Sequence, residues 1–405
     1  MMQCRGRWQP PRRREPSAWG RGRAWEGLTT EEGSDLITIL CALLLSIITL
    51  VGCGGGGDSA PPAETALLDT LRLVPVDTIG VEMGDSNYVF GTILAAGIDR
   101  RGRTLVLDAQ RCRLSAFSDQ GAYLGFAGGR GSGPGELQFP MDFAVLGDGG
   151  LVITDLQSSQ LTFYDTELQY IGSLAGFFPT APMFLDGFHD SLFVALDISL
   201  DMETDQPTIS SRAGIWGPDS AGPGVVLAAL SQPASQRPPE GEAVEELSVA
   251  GSDSFVFVGY VSVDRFLVEV YDARGNLVTE ISRPWERVEK TPEEMEQGGM
   301  AISVMRDGEG GSTTEARSVE DVVPWRNALE RVGADGQGRL WVELGSPPDP
   351  QTFEVYDPES GNLLFMAVAD SSLSDGMIAV SPGGFVHFSP NPEDYPKAIR
   401  LALRE

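Results

Sequence analysis

The chain has little of the chemistry that metal enzymes and hydrolases use. It contains only two histidines, His189 and His387, which lie far apart in the sequence. A catalytic zinc site normally takes three protein ligands, and two isolated histidines do not supply them. A G-x-S-x-G nucleophile motif and a D-x-D-x-D-G calcium loop are both absent. These absences argue against metal-dependent and serine-hydrolase chemistry.

Positive charge is also scarce. The chain has 29 Lys and Arg residues against 58 Asp and Glu residues, a formal net charge of −29 at pH 7. The acidic residues are spread along the chain and are not gathered in a tail. Such a field repels phosphate backbones, so nucleic acid is excluded as a predicted partner. The simpler interpretation of the charge is that it serves solubility alone.

Cysteine is as sparse, with Cys4, Cys41, Cys53 and Cys112 in the whole chain. If a leader containing the first two is removed and Cys53 is modified, only Cys112 remains. No internal disulfide is then possible, even in an oxidising compartment. Stability must come from a hydrophobic core, for which the remaining chain is long enough.

One long uncharged apolar run, Leu36–Val51, stands near the N-terminus. Its 16 residues are fewer than the about 20 that a spanning helix needs, and they fit a signal peptide. The run leads into Leu50-Val51-Gly52-Cys53, which resembles the bacterial lipobox, whose cysteine is acylated and becomes the new N-terminus. An uncleaved anchor and a buried core helix are the alternatives, although Gly54–Gly57 would break a continuing helix.

The lipobox resemblance divides the chain into a leader at 1–52, a lipidated Cys53 with a flexible tether at 53–66, and a folded domain at 67–405. It implies a protein of the bacterial cell envelope, anchored on the extracytoplasmic side of a membrane. Gly54 is not the aspartate that signals inner-membrane retention in some bacteria, which favours the outer membrane. The segment Met1–Asp35 is long for such a leader, and Glu31, Glu32 and Asp35 stand where positive charge is expected, which suggests a misassigned start.

After the tether the chain repeats itself at an interval of 47 residues. Leu105-Val106-Leu107-Asp108 becomes Val152-Ile153-Thr154-Asp155, and Tyr123-Leu124-Gly125 becomes Tyr170-Ile171-Gly172. Each repeat, called a unit below, predicts four short strands separated by turns rich in Gly and Asp. A period of about 40–50 residues with four strands is typical of a β-propeller.

Weaker copies extend the pattern to six units, with seven as the alternative. The third unit is degenerate around Ser191–Ala195, and the sixth begins near Ser381 without an outer strand of its own. The segment Leu71–Gly80 is predicted to supply that strand and to close the ring, which removes the free edges. The predicted fold class is therefore all-β, a six-bladed β-propeller of four-stranded blades closed by an N-terminal strand.

Two insertions are predicted between units, near 231–246 and near 286–325. The first has the composition of a disordered loop. The second contains Thr291-Pro292-Glu293-Glu294, in which Thr291 is an N-cap, Pro292 takes the first helical position and Glu294 completes a capping box. These residues predict a short helix that continues to about Met305. A lid, a docking surface and a decoration without function are all compatible with the two segments.

Two segments resemble a known repeat family. Gly128–Pro140 (GGRGSGPGELQFP) is similar to the connector between NHL-type repeats, and Asp335–Val342 (DGQGRLWV) to their turn and strand. The resemblance is to uncharacterised bacterial six-bladed propeller lipoproteins in particular. It implies a shared fold. The asparagine usual in the second turn is replaced by Arg111-Cys112 and by Ser158-Ser159, so a shared ligand does not follow.

The candidate binding residues lie on the loop rim, defined as the residues near 108–113, 130–138, 156–160 and 343–351. They are Asp108, Arg111, Arg113, Arg130 and Asp155. The arginines are expected either to form a positive patch or to pair with neighbouring carboxylates. The aspartates end equivalent strands, where a carboxylate either accepts backbone N–H bonds or, alternatively, binds calcium. The Gly-rich connector precedes a strand, so a phosphate cradle, which needs a following helix, is not expected.

The sequence thus predicts a membrane-tethered, extracytoplasmic propeller that serves as a binding scaffold for a protein, peptide or glycan at the loop rim. No catalytic residue, metal or cofactor is predicted, and structural calcium is the less favoured alternative. Two other functions stay open. One is a propeller hydrolase or lyase with its site at the mouth of the channel, and the other is a purely structural envelope lipoprotein.

Overall fold

The structure is a computed structural model that describes residues 69–405 except 178–179, 202–206, 221, 234–242, 293, 296–301, 307–311, 317–322, 346–349, 374–375, 391 and 393. The predicted leader, the lipobox residues Leu50, Val51, Gly52 and Cys53, and the tether lie outside the described residues. The regular secondary structure of the described part is almost entirely β. Its strands are β1 (Thr70–Ile79), β2 (Ile93–Ile98), β3 (Thr104–Asp108), β4 (Arg113–Phe117), β5 (Tyr123–Gly128), β6 (Pro140–Val145), β7 (Leu151–Asp155), β8 (Gln160–Tyr164), β9 (Tyr170–Ala175), β10 (Met183–Phe188), β11 (Leu192–Asp201), β12 (Thr208–Trp216), β13 (Val225–Pro233), β14 (Glu246–Gly251), β15 (Phe255–Val261), β16 (Phe266–Asp272), β17 (Leu277–Arg283), β18 (Val288–Glu289), β19 (Ile302–Arg306), β20 (Ser312–Ala316), β21 (Trp325–Arg326), β22 (Leu329–Ala334), β23 (Leu340–Leu344), β24 (Thr352–Tyr356), β25 (Leu363–Ala369), β26 (Met377–Ser381), β27 (Gly384–Phe388) and β28 (Ala398–Arg404).

The predicted repeat is present in three dimensions. All four strands of the second unit, β6 to β9, begin and end 47 residues after their counterparts β2 to β5. Each unit is an antiparallel meander in the order of the chain. The middle strands β3 and β7 are buried along their whole length because both faces of each sheet pack against neighbouring sheets.

The chain is an all-β propeller with four-stranded blades. Four sheets, β2–β5, β6–β9, β10–β13 and β14–β17, have four strands each. The remaining long strands form one eight-stranded sheet in the order β22-β23-β24-β25-β1-β28-β27-β26. Its two halves are each a four-stranded arrangement, and they are joined by the parallel pairing of β25 with β1.

The N-terminal strand completes the last half of that sheet. β1 pairs antiparallel with β28, with Leu73 opposite Leu403 and Ile79 opposite Ala398. Its bounds, Thr70–Ile79, agree with the predicted segment within one residue. The prediction that an N-terminal strand joins the C-terminal strands is therefore confirmed.

The first strands of the sheets lie around a common axis. These inner strands, β2, β6, β10, β14, β22 and β26, contact one another in sequence, and β26 returns to β2. They approach closely: a Cβ on Gly187 of β10 would collide with the backbone oxygen of Val145 on β6. A Cβ on Gly251 would come within 2.6 Å of the backbone oxygen of Gly187. Glycine at these positions lets the inner strands pack against each other.

Among the described residues, the core consists of six clusters of buried apolar side chains, each between two consecutive groups of strands. The cluster between the first two units contains Leu105 and Leu107 on one side and Leu151 and Ile153 on the other. The cluster that packs β27 and β28 against β2–β4 contains Val386. Burial is thus shared around the ring and is not concentrated in one centre.

The predicted insertions contain more β-structure than expected. Ser231–Pro233, the start of the predicted disordered loop, ends β13 and pairs with β12. The capping box is present, because Thr291 N donates to Glu294 Oε2 at 2.6 Å and Glu294 N to Thr291 Oγ1 at 3.3 Å. The helix does not continue to Met305, which lies in β19. Gly298 and Gly299 disfavour helix between the capping box and the β-branched Ile302 and Val304.

Candidate functional site

Asp108 holds the turn at the end of β3. Its carboxylate accepts bonds from the backbone N–H groups of Gly91 at 2.9 Å, Thr92 at 3.3 Å and Arg111 at 3.1 Å. The side chain is fully buried. Three backbone donors on one carboxylate fix the positions of the rim segments that flank the strand.

Asp155 repeats this arrangement 47 residues later. It accepts bonds from Gln138 N, from Phe139 N at 3.1 Å and from Ser158 N at 3.2 Å. Both aspartates therefore accept backbone N–H bonds, which is the first of the two roles considered for them from the sequence. In the described part of the chain, no group of three or more His, Cys, Asp and Glu side chains is arranged to hold a metal ion.

The three predicted rim arginines meet near β4 and its flanking loops. Arg111 Nη1 and Arg113 Nη2 both donate to the backbone oxygen of Ser86, the second at 3.5 Å. Arg130 Nη2 donates to the backbone oxygen of Gln110 at 2.7 Å. The Arg113 guanidinium also lies 5.3 Å from the ring centroid of Phe126. Arg111 Nε also pairs with Asp108 Oδ2 at 3.7 Å, as the second of the two expectations for the arginines predicted. The structure thus brings these arginines to one part of the rim, where backbone carbonyls hold them.

Cys112 lies inside the same turn. Its side chain is buried, and burial raises the pKa of the thiol, an effect that the neighbouring Arg130 charge partly offsets. The backbone φ angle is 54° at Cys112 and 46° at the equivalent Ser159. These are left-handed conformations, which asparagine adopts more readily than most residues. The two residues stand in the turns where an NHL repeat usually has an asparagine.

A cavity of about 390 Å³ lies on the axis between the six inner strands. Gly345 and Gly376 line it at the end of the loop rim, and Ser381 and Pro382 at the other end. Its volume is in the range of small-molecule sites, about 300–1,000 Å³. Apolar side chains provide much of its wall, and carboxylates from several inner strands interrupt them. The sequence predicted a site at the mouth of the channel as an alternative, but it named none of the residues that line this central cavity.

Two of its carboxylates connect neighbouring inner strands. Asp142 of β6 accepts a bond from Leu185 N on β10 at 2.8 Å, and Asp186 of β10 accepts one from Gly251 N on β14 at 3.0 Å. Ser248 Oγ and Ser381 Oγ accept the corresponding bonds from Val332 N and Ile98 N. Side-chain acceptors therefore satisfy backbone N–H groups of inner strands that have no further strand beside them.

Burial makes the carboxyl groups of Asp142 and Asp186 weaker acids. It raises the pKa of Asp142 to about 7, although the bonds from Phe143 N and Leu185 N oppose the shift. It also raises the pKa of Asp186 to about 7, against the bonds from Gly251 N and Gly187 N, and the nearby Asp142 charge adds to the increase. Both carboxyl groups are therefore weaker acids than an exposed aspartate.

A second cluster of polar side chains lies where β22 and β23 meet the rim. Arg331 Nη2 pairs with Glu343 Oε2 at 2.7 Å, and Gln351 Nε2 donates to Glu343 Oε1 at 3.0 Å. Glu330 accepts bonds from Asn327 Nδ2 at 3.1 and 3.3 Å. Burial raises the pKa of Glu330 to about 7, with Asn327 opposing the shift. All of these residues except Asn327 line the cavity.

Sequence reasoning missed these cavity residues, although a signal for one of them was present. The register of the sheets makes Ala95 the counterpart of Asp142, since they pair with Leu107 and Thr154 at equivalent places. An aspartate that replaces alanine between two otherwise similar repeats is not explained by strand formation. The two histidines do not contribute to the cavity wall: His189 is exposed in a turn, and His387 is buried in β27.

None of the helical segments in the described residues has the length and apolar content needed to span a bilayer. No protein-family model matches the chain, and no curated protein does. The NHL resemblance and the lipoprotein assignment therefore stay predictions.

Solved propeller structures align with most of the chain at low identity. A candidate exported protein of Bacteroides fragilis has 11% identity and a TM-score of 0.45, covering 86% of this chain and 98% of its own. A gluconolactonase of Xanthomonas campestris has 13% identity and a TM-score of 0.39, with coverages of 85% and 99%. Virginiamycin B lyase of Staphylococcus aureus has 11% identity and a TM-score of 0.37, with coverages of 80% and 98%. Similarities at this level carry no conclusion about activity or ligand.

Proposed function

We propose that this chain is a binding scaffold on a six-bladed propeller, held outside the cytoplasm by a lipid on Cys53. The central cavity carries the proposal: it is about 390 Å³ in volume, is walled by rigid strands and reaches the loop rim at Gly345 and Gly376. A rim of loops around such a cavity can hold a protein, a peptide or a glycan and admit one protruding group of it.

Two observations favour a count of six blades. The eight-stranded sheet has two four-stranded halves, each with its own inner strand, β22 and β26. Six inner strands and six core clusters alternate around the axis. The parallel pairing of β25 with β1 then joins the outer strands of two neighbouring blades.

The rim arginines give the scaffold a local preference for anionic groups. Arg111, Arg113 and Arg130 gather on one part of an otherwise acidic chain, and backbone carbonyls hold them in place. An anionic group on the partner, such as a carboxylate of a peptide or glycan, is the feature they would recognise.

One observation favours the rival function, a hydrolase or lyase acting in the cavity. Asp142, Asp186 and Glu330 have pKa values raised to about 7, as a general acid or base at neutral pH requires. Asp142 and Asp186, however, each accept a backbone bond that joins two inner strands, and these bonds hold the two carboxyl groups in structural positions. We therefore place binding before catalysis.

The anchor is tested by intact mass and membrane partition of the native protein beside a Cys53→Ala variant. The expected result is an acylated N-terminus at Cys53 and a variant that leaves the membrane fraction. A chain that keeps residues 1–52 without lipid would overturn the anchor.

The scaffold is tested by native mass spectrometry of protein purified from its own membranes. We expect a retained peptide or glycan that is lost when Arg111, Arg113 and Arg130 are changed together to Ala. Arg274→Ala is the matched control, because Arg274 is an exposed arginine in the hairpin between β16 and β17, away from the rim loops. Equal retention by both variants, or no retained molecule in any of them, would count against rim binding.

A further inference from the structure

The walls of the central cavity offer far more hydrogen-bond acceptors than donors. Asp142, Asp186, Glu330, Glu343 and the Gln351 side-chain oxygen are acceptors, and Arg331 is the charged donor among the described lining residues. Arg331 already pairs with Glu343, through Nε at 2.8 Å and Nη2 at 2.7 Å. The remaining acceptors therefore take their donors from water or from a molecule that enters the cavity.

Asp142 and Asp186 keep part of their accepting capacity. Each of their four carboxylate oxygens accepts one backbone bond, at 2.8 to 3.0 Å. A carboxylate oxygen can accept two, so one site is left on each. The two side chains stand on adjacent inner strands, β6 and β10, and their charges interact. A positive charge beside them would offset both the repulsion between the two carboxylates and the cost of burying their charges.

The rim end of the cavity adds an acceptor that lacks a partner. Gln351 Nε2 donates to Glu343 Oε1 and to the backbone oxygen of Gly376 at 3.1 Å, which fixes the orientation of the amide. The other amide atom, Gln351 Oε1, is buried and has no hydrogen-bond partner among the described residues. A buried acceptor of this kind costs about 1–3 kcal/mol unless a donor reaches it.

The chemistry of the occupant follows from these walls. An anion would meet several carboxylates, and a neutral apolar molecule would leave the acceptors unsatisfied. A bare metal ion needs converging ligands, and the described residues contain no such group. The apolar part of the wall, which includes Met183, Phe184, Leu247 and Met377, suits a hydrocarbon body.

We infer that the central cavity binds an organic cation, an amine with an apolar body, whose ammonium lies against carboxylates of the cavity wall. This inference rests on the proposed function, in which the cavity receives part of the ligand. A free amine and the side chain of a lysine in a peptide present the same chemistry.

The test uses 1,5-diaminopentane as the probe and 1,5-pentanediol as its uncharged counterpart of equal length, with binding to the folded domain measured by calorimetry. The diamine is expected to bind, and the diol is expected to bind at least about tenfold more weakly, because charged hydrogen bonds contribute about 1.5–3 kcal/mol each. Glu330→Gln should weaken diamine binding about tenfold. Glu280→Gln removes the same charge from an exposed site on β17 and should leave binding unchanged.

A second measurement uses the unaltered protein and so does not depend on the folding of a variant. Because the ammonium favours ionised carboxylates, diamine binding at pH 7 should release protons, seen as an enthalpy that changes with the ionisation heat of the buffer. Affinity should rise about tenfold from pH 6 to pH 8 for each carboxyl group that titrates.

The outcomes separate this inference from the proposed function. Equal binding of diamine and diol, with no proton release, would overturn the cationic ligand and leave the cavity as a binding site. Binding of calcium with greater affinity than the diamine would also overturn it. If neither probe binds while the rim still retains a partner, the inference fails and the scaffold stands.

Discussion

The first two units of the propeller have nearly the same strand structure, and the positions at which they differ are therefore informative. Their strands coincide after a shift of 47 residues, and Asp108 and Asp155 each accept three backbone N–H bonds at the same place. The two units differ at their inner strands. The first unit has Ala95, and the second has Asp142, which bonds to the third unit.

The comparison separates two kinds of acidic residue. A carboxylate that recurs at the same position of every similar unit serves the geometry of that unit. A carboxylate that occurs once, on an inner strand, is not needed to build the unit and affects the central cavity instead. In a chain with 58 acidic residues, this distinction selects a few of them as candidates for function.

The largest effect is expected from removing the recurring aspartates. Asp108→Ala and Asp155→Ala should each lower the free energy of unfolding by about 4 kcal/mol, because each leaves three backbone N–H groups without an acceptor. Urea unfolding measures the loss. Asp119→Ala, at an exposed hairpin position, is the control and should change stability by less than about 0.5 kcal/mol. Markedly unequal losses at Asp108 and Asp155 would break the equivalence of the two units.

A second effect tests how closely the inner strands approach. Gly187→Ala should cost about 3 kcal/mol, since the new Cβ collides with the backbone oxygen of Val145. Gly97→Ala is the matched control: its Cβ would meet Ser381 Oγ at 3.6 Å, an ordinary contact, and the second unit already has Ala144 there. Thermal unfolding of the two variants compares them. Similar melting temperatures would show that close approach at β10 does not limit the fold.

A third effect concerns Asp142, which should make the free energy of unfolding depend on pH. The pKa of Asp142 is about 7 in the folded chain against an ordinary 3.8, so folding favours the neutral acid. Stability from this group is present below about pH 4, is lost as the pH rises to about 7, and is level above that. In Asp142→Asn the decline between pH 4 and 7 should be smaller by about 3 kcal/mol, measured by urea unfolding. An unchanged pH profile would contradict the raised pKa.

The smallest effect concerns the left-handed residues that end the turns after β3 and β7. Ser159→Gly should raise the free energy of unfolding by about 0.5–1 kcal/mol, because glycine adopts a φ of 46° without steric cost. Cys112→Gly should bring no gain, since it removes a buried thiol that donates to the backbone oxygen of Gln138 at 3.2 Å. Chemical unfolding can resolve the difference. A destabilised Ser159→Gly would mean that the serine side chain is needed in its turn.

Much of the fold could be predicted because turn chemistry recurs where the strands are short. Asp-rich and Gly-rich turns separate the strands of the first two units, and the interval of 47 residues read from the sequence holds for β2–β5 and β6–β9. The third unit was hardest, because β11 and β12 are 10 and 9 residues long and exceed the repeat. The helix predicted up to Met305 was wrong, since a good capping box says how a helix starts and nothing about how far it runs.

The candidate site was less accessible to sequence reasoning. The rim arginines were placed together by the repeat, although their partners, the carbonyls of Ser86 and Gln110, are backbone atoms that no residue pattern reveals. Asp142 was visible as a departure from Ala95. Glu330 and Gln351 were not, because their meeting in the cavity depends on how β22 and β24 are arranged around the axis.

The pairing of β1 with β28 has a consequence for how the molecule is made. The strand that is synthesised first in the described domain meets its parallel partner β25 late and its antiparallel partner β28 last of all. Until β25 is made, its hydrogen-bonding groups have no native strand to pair with, and until β28 is made the ring is open. Closure at such a large sequence separation is slow compared with local hairpins. A chain that loses only β28 at its end would therefore leave its beginning paired with β25 alone.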